Sequence, residues 1–135
     1  MHTTDYVSTF IEVAEDCPAA TAQVPPATDS PTIARLHWEL ISARPYALTS
    51  DDVVFETHAR RAGIAPQERE RARAEFFSKG QPCLRSSPLG KRYGWGVHAD
   101  ADGRVALVPV ESADYARLRD DPALAHTRAM RSRRA

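Results

Sequence analysis

The sequence predicts a single α+β domain, and three observations carry that reading. An alternating polar and apolar run opens the chain, helical stripes fill its middle, and an Asp102-Gly103 turn signal joins two β-prone runs near the end. A mainly antiparallel sheet, with strands near residues 6–13, 93–98 and 104–110 and three or four helices packed on it, satisfies all three.

Each element follows from local chemistry. In residues 6–13, Val7, Thr9, Ile11 and Val13 form one face and Tyr6, Ser8, Phe10 and Glu12 the other, as in a strand with a buried side. Cys17-Pro18 ends it, and residues 19–31 form a Pro-, Ala- and Thr-rich loop. Ser30 is the expected cap of a first helix with Pro31 at its first position. Ile33, Leu36, Leu40 and Ala43 give that helix its stripe, Trp38 and Ile41 widen it, and Pro45 stops it. A second helix begins at Ser50. Asp51 and Asp52 suit its positive end, Arg60 and Arg61 its negative end, and Gly63 closes it in the left-handed conformation. Pro66 opens a third helix over 67–78, and a short fourth is expected at 112–119.

Composition bounds the function. A chain of 135 residues with 42% apolar and 27% charged content has the size and balance of one globular domain, 1–135. No run approaches the roughly 18 apolar residues of a membrane span, so no membrane partner is expected. The opening Met1-His2-Thr3-Thr4-Asp5 has neither the basic nor the apolar region of a secretory leader. The expected location is cytoplasmic, with Cys17 and Cys83 as free thiols. No cofactor is implied, and no motif sets an oligomeric state.

Net charge is zero but unevenly spread. Residues 1–75 carry a balance of −5 and residues 76–135 one of +5. A basic tail begins at about 126 with Arg128, Arg131, Arg133 and Arg134. Docking of that tail onto the acidic half explains it better than nucleic acid, which is not an expected partner because no nucleic-acid fold accompanies it.

The candidate site lies in residues 76–99, which contain no acid. Lys79, Arg85, Lys91 and Arg92 supply charge, Ser86 and Ser87 hydroxyls, and Gly80, Gly90, Gly94 and Gly96 close backbone approach. The Walker spacing is absent and no helix clearly follows the glycines. In a strand, Gly94 and Gly96 leave bare backbone on the face that carries His98. A small anionic or phosphorylated ligand held by Lys79, Gly80, Arg85, Ser86, Lys91, Arg92, Gly94, Gly96 and His98 is the preferred function. The competing structural reading is a solvated connection pairing with Glu12, Glu15 and Asp16, with another element lying on the glycines.

Two alternatives stay open. Cys83 and His98 form the minimum for covalent catalysis, a thiolate with an imidazole, and would serve hydrolysis or group transfer. Trp95 with the basic tail would serve protein interaction. No metal site is expected: the aspartates after His98 echo a calcium loop, but Pro109 stands where its closing Glu belongs. His37 and His58 stand alone on helices.

The motifs Thr9-Phe10-Ile11-Glu12-Val13-Ala14-Glu15-Asp16-Cys17-Pro18, Phe76-Phe77-Ser78-Lys79-Gly80-Gln81-Pro82-Cys83-Leu84-Arg85, Lys91-Arg92-Tyr93-Gly94-Trp95-Gly96 and Ala129-Met130-Arg131-Ser132 resemble those of a family of small uncharacterised bacterial proteins, a domain of unknown function. The resemblance covers nearly the whole chain and implies one domain. It carries over no catalytic residue and no cofactor.

Overall fold

A computed structural model describes residues 1–133, so Arg134 of the expected basic tail lies outside the described residues. The described chain runs β1 (Thr9–Glu12), α1 (Ile33–Ala43), α2 (Ser50–Ala62), α3 (Arg69–Phe76), α4 (Pro88–Arg92), β2 (Trp95–Ala99), β3 (Val105–Pro109), α5 (Ala113–Arg119) and β4 (Ala125–Arg128). The strands form one sheet in the order β3-β2-β1-β4. This is the α+β architecture read from the sequence, with the expected β2–β3 hairpin in antiparallel register from Trp95–Pro109 to Ala99–Val105. The sheet is mixed, because β4 lies parallel to β1. No helix among the described residues is long and apolar enough to cross a membrane.

Several boundaries differ from expectation, each for a local reason. Ser8 turns into positive φ, so β1 begins at Thr9 instead of Tyr6. That turn brings Tyr6 round to the Ile11 side, where it packs on the same core. Thr32, not Ser30, caps α1: its hydroxyl accepts from Arg35 N at 3.1 Å. Thr49 caps α2 in a reciprocal box with Asp52, and Gly63 closes it at φ 66° as expected. The third helix starts as a 3₁₀ turn, Pro66–Glu68, and ends where the Phe77 ring turns into the core. The segment expected as a tail from about 126 opens with β4. Residues 88–92, expected as loop, form α4, which Ser87 caps and Pro88 opens.

Strand alternation sends the two sheet faces to different cores. Ile11, Val97, Ala99 and Val105 meet Leu40, Ile41 and Val53 of α1 and α2, together with Leu84. Phe10 and Val108 meet Tyr115 and Leu118 of α5 on the other side. A third cluster, Phe55, Ala59 and Phe77, joins α2 to the end of α3.

Candidate functional site

The acid-free segment does not form one continuous binding loop. Lys79 and Gly80 are exposed beyond α3. Arg85 donates from Nε to the Arg128 carbonyl at 2.8 Å, and its own carbonyl accepts from Met130 N, so it fastens the C-terminal strand. The Ser86 hydroxyl donates to the Cys83 carbonyl at 2.7 Å. Lys91 and Arg92 end α4, where neither makes an ion pair among the described residues.

The bare glycine face is filled. A Cβ added at Gly96 would sit 2.9 Å from ring atoms of both Phe10 and Tyr115, which pack edge-to-face against each other 5.0 Å apart. Gly94, at φ 81°, precedes the strand and lies under Thr21, whose carbonyl would be 2.9 Å from an added Cβ. The glycines serve close packing of the molecule's own elements.

Cys83 and His98 take separate partners. The Cys83 sulfur lies 3.2 Å from the Tyr6 hydroxyl, and burial together with that bond pushes the phenol up to about 12. His98 bonds through Nδ1 to the Tyr46 hydroxyl at 2.8 Å, and partial burial lowers its pKa. Trp95 donates its indole N–H to the Gln23 carbonyl, which anchors the long loop. The C-terminal cations meet the N-terminal acids: Arg128 and Arg131 lie near Glu15, while Asp16 accepts from the backbone of Ser132 and Arg133. Asp100 accepts from the backbone of Asp102 and Arg104, which accounts for its place in the hairpin turn.

The structure assembles a different site. A cavity of about 570 Å³ opens between α1, α2, the Phe76 end of α3 and the connection that carries Cys83, Ser86 and Ser87. Its wall is mainly apolar, with Val54, Phe76 and Pro88, and His58 stacks on Phe76 at 4.6 Å to extend an aromatic surface. His37, only 7% exposed, reaches the cavity from α1 and bonds through Nδ1 to the Ser87 hydroxyl at 2.8 Å. Burial drives its pKa down to about 4, so the imidazole is neutral near pH 7.

Arg61 stands at the cavity wall and also lines an adjoining groove with Arg92 and Tyr93. Neither arginine makes an ion pair among the described residues, and no Asp or Glu lines the cavity or the groove. Of the expected ligand residues, Ser86 lines the cavity and Arg92 the groove, while Cys83, a candidate nucleophile in the alternative reading, lines the cavity too.

Sequence reasoning missed His37, Ser87 and Arg61 as partners in one place. His37 gave a usable signal, since it falls on the buried stripe between Leu36 and Leu40. Arg61 gave none, because an arginine in the last turn of a helix is already explained by the helix dipole.

Fold and cavity together define an α+β domain with a four-stranded mixed sheet and an acid-free, cation-flanked pocket between its helices. The chain belongs to a family of unknown function, DUF6157, whose family model matches residues 1–135. No curated protein and no solved structure matches the chain.

Proposed function

We propose that the protein is a binding module for a small amphipathic anion, with the apolar body in the α1–α2 cavity and the anionic group at Arg61 and Arg92. One observation carries this reading: two guanidinium groups that make no ion pair among the described residues flank a mainly apolar cavity and groove that no carboxylate of those residues lines. Guanidinium is the group best suited to a carboxylate or phosphate, and apolar walls with a few polar groups are the usual form of a small-molecule site. The anion chemistry read from the acid-free segment is retained, and its place moves from the glycine face to the neighbouring cavity.

The cytoplasm of a bacterium is the proposed setting, supported by two thiols that stand unpaired. Catalysis by Cys83 with His98 draws no support from their separate tyrosine partners, and docking through Trp95 draws none from its tether to Gln23.

Thermal-shift measurements with aryl and alkyl carboxylates and phosphates test the reading. A ligand that binds only the folded state adds about 2.7 kcal/mol at a hundredfold excess over Kd. At least one anion should raise the melting temperature, and Arg61→Ala and Arg92→Ala should each reduce the rise. Lys79→Ala, at an exposed residue that lines neither the cavity nor the groove, should keep it. A panel with no effect, or equal loss in the Lys79 variant, would defeat the reading.

A further inference from the structure

The depth of the same cavity carries a second recognition element, fixed by hydrogen-bond stoichiometry. Ser87 is 2% exposed, and its hydroxyl accepts from Leu89 N at 3.3 Å as the cap of α4. A hydroxyl has one proton to give. With Leu89 donating to it, the Ser87 proton goes to His37 Nδ1, 2.8 Å away. The reverse arrangement, Nδ1–H donating to the hydroxyl, would leave the hydroxyl proton with no acceptor among the described residues, on a residue that is only 2% exposed. The imidazole therefore carries its proton on Nε2.

That Nε2–H has no partner among the described residues. No buried side-chain nitrogen or oxygen among them is left unsatisfied either, so Nε2 reaches solvent, and the cavity that His37 lines is its outlet. The other hydroxyls on the wall are already committed: Thr57 donates to the Val53 carbonyl and Ser86 to the Cys83 carbonyl.

We propose that His37, locked in the Nε2–H form by Ser87, is a specificity-determining donor for an uncharged acceptor oxygen of the ligand. This rests on the cavity reading above and narrows its ligand class. The ligand is a small acid whose anionic end meets Arg61 and Arg92. Its apolar, preferably aromatic body lies along Phe76 and His58, and a carbonyl-type oxygen in the chain meets His37. The two guanidinium groups are then matched by the acid and the inner neutral donor by the ketone. Low pKa and burial keep His37 from becoming a third cation, so the inner position favours a neutral oxygen over a second charge.

Two measurements decide it. Long-range ¹H–¹⁵N spectra of the histidine rings at pH 7 should show His37 as the Nε2–H tautomer. Titration of the labelled protein with 4-oxo-4-phenylbutanoate and with 4-phenylbutanoate compares acids that differ only in the ketone oxygen. The keto acid should bind about tenfold tighter, the size of one well-placed hydrogen bond. His37→Leu should erase that preference, His37→Gln should keep part of it by restoring a donor at the ε position, and Arg61→Ala should weaken both acids by a similar factor.

An Nδ1–H tautomer, or equal affinity of the wild type for both acids, would overturn the donor role and leave the anion reading standing. Failure of both acids to bind would overturn the two together. Should His37→Leu fail to fold, the wild-type spectrum, the wild-type acid pair and the glutamine variant still decide.

Discussion

The two faces of the sheet solve the same packing problem differently. On the α5 face the gap left by Gly96 is taken up by Phe10 and Tyr115, and Tyr115 also accepts from the Val13 backbone, so rings and backbone lock together. On the α1–α2 face the sheet is equally well covered by Leu40, Ile41, Val53 and Leu84. Behind that layer, however, the helices diverge around a cavity. Each face also holds a histidine bonded to a hydroxyl through Nδ1 at 2.8 Å, His98 to Tyr46 and His37 to Ser87. Identical bond lengths conceal different chemistry. His98 is partly open to water, and partial burial lowers its pKa while the charges of Asp100, Arg117 and Asp121 also act on it; His37 is almost fully buried, and burial alone drives its pKa down.

The largest effect expected from this difference is in the pH dependence of stability. His37 has a folded pKa of about 4 against an ordinary value of 6.5, so between those limits the unfolded chain binds more protons than the folded one. Stability therefore falls as pH drops from about 6.5 to about 4, by about 3 kcal/mol from this group. Urea midpoints measured across that window should show the slope, and His37→Gln should flatten it. His98, also lowered, contributes with the same sign, and His98→Gln should leave most of the slope in place.

A smaller effect tests the packed face. Gly96→Ala forces a methyl group into two buried rings and should cost about 2 kcal/mol. Gly80→Ala, whose nearest neighbour is the His2 ring at 3.9 Å, should change stability by less than about 0.5 kcal/mol. Denaturant titration of both variants separates a glycine needed for contact from one that is merely present.

Smaller still is Ser87→Ala on the cavity side. It removes the cap of a short helix and should cost about 1 kcal/mol. The more telling readout is the ring spectrum of His37, which should lose its fixed tautomer while His98 is unaffected.

What could be read from the sequence follows the same division. The Asp102-Gly103 hairpin, the alternation around Phe10 and Ile11 and the Gly63 cap were all legible, because each depends on residues adjacent in the chain. β4 was not legible. Ala125, His126, Thr127 and Arg128 show no apolar alternation, since an edge strand with one neighbour can be held by its backbone alone. α4 escaped because five residues containing a glycine carry no periodic signal.

The anion chemistry of the acid-free segment was legible as composition. The site was not, because His37, Arg61 and Ser87 come from three separate elements and only tertiary packing brings them to one wall. Gly96 misled for the opposite reason: the space beside it is real, but Phe10, far earlier in the chain, occupies it.

The order of the sheet has a consequence for how the protein is made. β1 leaves the ribosome before the other three strands and occupies the interior of the sheet, yet both its neighbours, β2 and β4, are encoded far downstream. At about 5–20 residues per second, a bare β-prone strand waits on the order of ten seconds for its first partner. The earliest helices have no completed sheet to settle on during that interval, and long-range pairing of this kind is intrinsically slow. Thr9, Phe10 and Ile11 are thus the strand residues that wait longest for their partners in the nascent chain, although in the finished molecule they are among its best protected residues.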